Sequence, residues 1–262
     1  MRGLLVLVPA VLALAAPALA QDRSPVVIVG VDEGLRDVIA EALPPRDAPE
    51  TLFQAERLSA EAAERAAALL RSEGYYQAEV SADPQEEPPA ARIVVSAGPR
   101  FVLESAALVF EGEAPDEAGA QAAQAALSPL APGAPARAAT VLDAEAAVLT
   151  ALRQAGYADA VLGEREVIVD HATQTMRVTA RATPGPRVAL GDLVVTTPEA
   201  LDPELAQRFA AFESGDAYTP EALTDTRRAL GSAGAFSRVR VSLAPLSDES
   251  GVRDVVVALE PE

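Results

Sequence analysis

Three short segments of the chain repeat one another, and this self-similarity limits the possible folds more than any other feature. Leu-Leu-Arg-Ser-Glu-Gly-Tyr-Tyr (69–76), Ala-Leu-Arg-Gln-Ala-Gly-Tyr (151–157) and Ala-Leu-Gly-Ser-Ala-Gly-Ala-Phe (229–236) each carry a leucine, a glycine four residues later and an aromatic just beyond. Gly74, Gly156 and Gly234 lie 82 and 78 residues apart, the length of a small domain. A glycine at this point reads as a helix stop, because it takes the left-handed conformation past the last turn at little steric cost. Tyr75, Tyr157 and Phe236 then fold back as lids on the core.

A second repeated element is Gly98-Pro99-Arg100 before Phe101-Val102-Leu103, matched by Gly185-Pro186-Arg187 before Val188-Ala189-Leu190. Proline fixes one backbone angle and glycine frees another, so these triplets read as short, stiffened interdomain joints. They divide the chain into residues 1–20, 21–98, 99–185 and 186–262.

Within each long segment the apolar period changes in the same order. In the last, Val188 to Val195 reads as a strand, and Asp202-Pro203 opens a helix bearing Leu205, Phe209 and Phe212 on one face. Thr219-Pro220-Glu221 opens a second helix that runs to Gly234. Two alternating runs follow, with Val239, Val241 and Leu243 on one face of the first and Val255, Val257 and Leu259 on one face of the second, joined by a turn at Ser247 to Gly251. The middle segment gives a strand at 101–110, helices near 116–127 and 138–155, and strands near 160–169 and 174–182. The first gives a strand at 26–31, helices near 34–42 and 59–73, and strands near 76–82 and 91–97, with proline-rich loops at 44–49 and 84–89. The expected fold is therefore α+β: three tandem β-α-α-β-β domains, each a small mixed three-stranded sheet packed on two helices.

Residues 1–20 have a single positive charge, an apolar run from Leu4 to Ala16, and the triplet Ala18-Leu19-Ala20 before polar Gln21. This is the pattern of a secretory signal peptide cut between Ala20 and Gln21. All 21 basic residues are arginine, and the chain lacks lysine, asparagine and cysteine. That excludes a phosphate-binding loop lysine, a Schiff-base lysine and thiolate metal sites. The formal net charge of −18 opposes a nucleic-acid partner, which needs a basic surface.

His171, the single histidine, lies in the polar stretch Asp170-His171-Ala172-Thr173-Gln174 and reads as an exposed turn residue. Glu86-Glu87 and Asp248-Glu249 read as solvated loop carboxylates. No residue pattern indicates a catalytic, cofactor-binding or metal site.

The order of elements, the leading signal peptide and the stretch Phe212-Glu213-Ser214-Gly215-Asp216-Ala217-Tyr218-Thr219-Pro220, followed by Leu223, Arg227, Leu230, Gly234, Phe236 and Val239, resemble the polypeptide-transport-associated (POTRA) domain of the Omp85 superfamily. Three such units resemble the periplasmic arm of the TamA group, the translocation and assembly module subunit. The first unit matches only around Gly74. The resemblance implies a non-enzymatic arm in the Gram-negative periplasm that serves outer-membrane protein assembly or autotransporter secretion. It implies outer-membrane protein clients, a TamB-like inner-membrane-anchored partner, no cofactor, and attachment to the outer membrane through a β-barrel. The chain stops at Glu262 where the family continues into that barrel, so it is expected to be the arm of a longer protein. The alternatives are a soluble periplasmic scaffold or chaperone-like protein of the same fold, or the arm of a BamA-like or two-partner secretion transporter.

Two helices between the first and second strands return the chain antiparallel, and the final hairpin brings the third strand back beside the first. The second strand is then an edge. In the last unit it comprises Arg238, Val239, Arg240, Val241, Ser242 and Leu243, with the arginines and serine toward solvent. Its unpaired backbone groups are the expected site for adding an extended client segment.

Overall fold

A computed structural model describes residues 24–197, 201–234, 236–245 and 251–261. Ala20 and Gln21, most of the Ser247 to Gly251 turn, and Asp248-Glu249 lie outside these residues. The chain forms two compact units, one comprising residues up to Leu69 with Glu79–Ser96, the other Leu70–Ala78 with Ala97 onward.

In the first unit the elements are β1 (Val27–Val29), α1 (Glu33–Ala42), α2 (Leu52–Ser72, whose last turn belongs to the second unit), β2 (Glu79–Ala82) and β3 (Arg92–Ser96). The sheet order is β1-β3-β2, with β1 parallel and β2 antiparallel to β3. Asp32 caps α1 by accepting from the Leu35 N–H at 2.9 Å, satisfying an amide that has no partner within the helix. Helix α2 starts seven residues before the 59–73 expected from periodicity. Thr51 and Gln54 explain this: the Thr51 hydroxyl accepts from the Gln54 N–H at 3.3 Å, while the Gln54 side chain accepts from the Glu50 N–H at 2.8 Å. That reciprocal arrangement stabilises a helix start.

The second unit holds two sheets. The middle set is β4 (Val102–Phe110), α3 (Glu117–Ala125), a 3-10 turn (Ser128–Leu130), α4 (Ala138–Gln154), β5 (Val161–Leu162), β6 (Glu166–Asp170) and β7 (Thr175–Thr183). β7 is central, parallel to β4 and antiparallel to both β5 and β6. The expected single strand at 160–169 is thus broken, and this sheet has four strands rather than three. Gly163, Glu164 and Arg165 stand opposite only Ala180 and Arg181, a β-bulge that interrupts pairing.

The last set is β8 (Ala189–Val195), α5 (Pro203–Gln207), α6 (Pro220–Ser232), β9 (Phe236–Leu243) and β10 (Val252–Pro261), in sheet order β8-β10-β9. Here α5 is shorter than expected, and Leu205, Phe209 and Phe212 do not share one helical face. The Phe209 N–H donates to the Ala206 carbonyl at 2.9 Å, tightening the chain out of the helix. Leu205 is exposed, whereas Ala206 and Phe212 enter the core with Leu190, Leu230, Val255 and Val257. The core of the middle set is built on Phe101, Leu103, Val148, Leu152 and Met176.

Candidate functional site

Backbone hydrogen bonding distinguishes the two edges of each sheet in the second unit. The outer side of β8 is covered near its start by the loop before α6. The Leu190 N–H donates to Asp216 at 2.7 Å, the Gly215 N–H donates back to Leu190 at 2.7 Å, and the Tyr218 N–H donates to Val188 at 2.9 Å. The loop before α4 treats β4 alike: Leu103 donates to Ala134 at 2.7 Å, Gly133 donates to Leu103 at 2.8 Å, and Ala136 donates to Phe101 at 2.9 Å. Gly133-Ala134-Pro135-Ala136 is therefore the middle counterpart of Gly215-Asp216-Ala217-Tyr218. Sequence reasoning missed it, although in both cases the glycine stands five residues before the first residue of the helix.

The opposite edge in the last sheet is β9, and among the described residues no strand pairs with its outer side. The direction of each of its peptide groups follows from one bond. The Ala244 N–H donates to Asp254 at 2.8 Å, so Ala244 and Asp254 form a hydrogen-bonded pair. In the constant register Leu243↔Val255 to Arg238↔Glu260, Ser242, Arg240 and Arg238 aim their backbone groups at β10. Val239, Val241 and Leu243 aim theirs outward, because antiparallel pairs alternate. Their side chains are partly buried against the core, while Arg238, Arg240 and Ser242 are exposed. Arg238 meets Glu260 on the neighbouring strand at 3.2 Å, and Phe236 also packs on the core.

The two sequence motifs, helix stop and Gly-Pro-Arg, come together in the second unit. The Gly74 carbonyl accepts from the Phe101 N–H at 2.9 Å, and the Gly156 carbonyl accepts from the Val188 N–H at 2.9 Å. Gly98 lies over Gln77, and Gly185 over Asp159. Arg100 donates to the Glu73 carboxylate at 2.7 Å and to its carbonyl at 2.9 Å, with the guanidinium above the Tyr75 ring. Arg187 reaches Asp116 at 3.3 Å, and the Tyr157 hydroxyl accepts from the Asp116 N–H at 2.6 Å. Pro99 is half-buried, whereas Pro186 is exposed. Arg253 ties β10 to the same region through a two-oxygen contact with Asp159, both at 2.8 Å. Gly74, Gly156 and Gly234 have φ of 93°, 103° and 69°. Gly234 has no neighbour that an added Cβ would meet.

His171 is exposed in the turn after β6, its ring edge-on to Phe101 at 5.5 Å. Asp170, in the same turn, has its pKa held down by accepting from the Ala172 and Thr173 N–H groups. Burial raises the pKa values of the Tyr76 and Tyr218 phenols. Glu86 and Glu87 are exposed. Among the described residues no cluster of histidine and carboxylate side chains is arranged to hold a metal.

Residues 25–97 match the family model described as POTRA domain, TamA domain 1. No curated protein matches the chain in sequence. Among solved structures, the chain is similar to POTRA domains 3–5 of BamA from Haemophilus influenzae, at 17% identity and a TM-score of 0.54, over 90% of this chain and 95% of that one. It is also similar to BamA from Haemophilus ducreyi lacking POTRA domains 1–3, at 13% identity and a TM-score of 0.51, over 62% of this chain and 30% of that one.

Proposed function

We propose that this chain is a POTRA arm of the Omp85 superfamily, a reading supported by the family match of residues 25–97 and the shared fold, that it is a periplasmic binding arm for outer-membrane protein assembly or secretion, and that β9 receives extended client segments by strand addition. The observation that carries this reading is the outward-facing row Val239, Val241 and Leu243 on an unpaired edge, set against opposite edges covered by the loops at 133–136 and 215–218. Backbone groups supply most of the hydrogen bonds in such an addition, so one edge can take many sequences. The alternating character of β9 fits segments that alternate as well, apolar toward α6 and polar toward Arg238 and Arg240, the pattern of outer-membrane strands.

The arm acts by binding, without a catalytic step or cofactor. The match of residues 25–97 to the first TamA domain supports the first unit as the side that meets a TamB-like inner-membrane-anchored protein, and a placement of the whole arm in the periplasm. The domains in this reading are 21–98, 99–185 and 186–262, following removal of a signal peptide between Ala20 and Gln21. A photo-crosslinking residue in place of Ser242, exposed on β9, is the direct test. Incubated with an unfolded outer-membrane porin, it should give an adduct that an alternating strand peptide competes away. Absence of any adduct, with the arm folded, refutes strand addition at β9.

A further inference from the structure

The middle sheet also has a second-strand edge, β5 and β6, and it is the more apolar one: Val161, Val167 and Ile168 are 54%, 43% and 44% exposed. Left continuous, such an edge is the stickier template. It is not continuous. Gly163 donates to the Arg181 carbonyl at 2.9 Å, which with Val161↔Thr183 places Leu162 outward-facing on β5. After the extra residue of the bulge the alternation is displaced. The Gln174 carbonyl accepts from the Val102 N–H, so the even-numbered residues of β7 aim at β4 and the odd ones at β6. Glu166, Ile168 and Asp170 then point inward to β7, leaving Val167 and Val169 outward. The outward donors therefore fall at 162, 167 and 169, whereas those of β9 fall evenly at 239, 241 and 243.

The bulge is anchored from beneath. Glu145 sits on the buried face of α4, with its side chain only 8% exposed, and its carboxylate meets the Arg165 guanidinium at 3.1 Å. Arg165 stands in the break between β5 and β6, with 39% of its side chain exposed; a charge at a sheet edge is one of the devices that keep edges from pairing, because a new strand covering it must also desolvate it. Outside the break, Arg181 lies 3.7 Å from both Glu111 and Glu166, adding further charge that an incoming strand must accommodate.

Resting on the strand-addition reading, we propose that Glu145 and Arg165 close the middle edge to incoming strands and so direct client segments to β9. Glu145 and Arg165 are thereby specificity-determining residues for where a client binds, acting through the shape and charge of the edge rather than through contact with a bound client. The occupant that is turned away is the same one β9 accepts, an extended segment of alternating apolar and polar residues.

The chain contains no cysteine, so one introduced thiol reports one edge. Ser242→Cys on β9 and Ile168→Cys on β6 both occupy exposed positions whose backbone groups point inward. Each full-chain variant is incubated under mild oxidation with a twelve-residue peptide of alternating valine and threonine carrying a single central cysteine. The expected result is a disulfide adduct with Ser242→Cys, at least ~10-fold more than with Ile168→Cys. Deleting Glu164 leaves two residues opposite two; combined with Arg165→Val and Glu145→Leu, it should raise the Ile168→Cys adduct ~10-fold while the Ser242→Cys adduct stays constant. If the deletion unfolds the protein, Arg165→Val with Glu145→Leu at unchanged length is measured instead, with a ~3-fold rise expected. Equal adducts at both edges in the unaltered background overturn this inference and leave strand addition intact. A repaired, folded edge that gains nothing overturns it too. No adduct at either edge refutes strand addition itself.

Discussion

Val241→Pro is the perturbation that most directly separates binding from folding. The Val241 N–H points away from β10, so proline there removes an outward donor and no bond of the sheet. Proline is tolerated on edge strands for that reason. A strand added along Val239 to Leu243 can use about six backbone groups, three N–H and three C=O. Each hydrogen bond contributes a net ~0.5–1.5 kcal/mol. Losing one donor, and leaving one client carbonyl without its partner beside the proline ring, should weaken binding by ~1–2 kcal/mol, roughly 5- to 30-fold. Arg240→Pro is the contrasting variant, because the Arg240 N–H faces Ala258 on β10. It removes a ladder bond and leaves the Ala258 carbonyl unpaired, which should destabilise the last sheet by ~1–3 kcal/mol, and its binding loss should track its unfolding. Arg240→Ala keeps the backbone and should change affinity less than about 2-fold, the scale of an exposed charge. The assay is fluorescence anisotropy of a labelled alternating Val/Thr peptide against the full chain, with thermal melting by circular dichroism alongside. A folded Val241→Pro protein that binds as tightly as the unaltered one refutes the outward-row argument.

Phe101, fully buried in the middle core, should cost ~3–5 kcal/mol on replacement by alanine, measured by urea unfolding. Gly234→Val should cost ~1–3 kcal/mol from the positive φ alone, whereas Gly74→Val adds a Cβ 3.1 Å from the Ala136 carbonyl oxygen and should melt at a lower temperature than Gly234→Val. Gln174, with φ of 57°, should gain ~0.5–1 kcal/mol on replacement by glycine, which adopts that conformation freely; a lowered melting temperature counts against it. The lowered Asp170 pKa means that its stabilisation of the turn is fully present above the unfolded carboxylate value and is lost as pH falls through the lower folded value. Hydrogen-exchange protection of the Ala172 and Thr173 amides should thus persist at pH 5 and fade only below 3.8, the ordinary aspartate value, and fading already between pH 7 and 5 refutes the assignment.

The order of strands and helices was legible because glycine, proline and the change between the two apolar periods mark where each element begins and ends. The sheet order followed as well, since two helices followed by a hairpin leave little choice about which strand is central. What sequence patterns missed has identifiable causes. Leu205, Phe209 and Phe212 are spaced as a helical face, yet a carbonyl at Ala206 captures the Phe209 N–H and ends the helix, a competition that periodicity does not register. The break between β5 and β6 depends on how many residues of β7 lie opposite. A count across two strands cannot be read from either one alone. Nothing in the sequence marks Glu145, because its partner, Arg165, is 20 residues away. The orientation of the β9 peptide groups was equally hidden: alternation of side chains is written in the sequence, but the direction of each N–H waits on one observed bond.

The helix stop and the Gly-Pro-Arg triplet, read as two motifs, are two halves of one joint. Gly156 holds a φ of 103°, which side-chain-bearing residues rarely adopt, with Arg187 3.1 Å from where a Cβ would stand, and its carbonyl is the acceptor that fixes Val188, the residue before β8. The following residues of β8 are then covered by the loop before α6, so the strand that begins at the joint has the start of its outer edge covered. Arg253 adds β10 to the joint through Asp159. Among the described residues, Arg238 to Leu243 contribute none of these bonds. In the proposed strand-addition reading, the strand that takes the client is thus bound to the joint only past its end, where Arg253 donates to the Ala244 carbonyl at 2.6 Å.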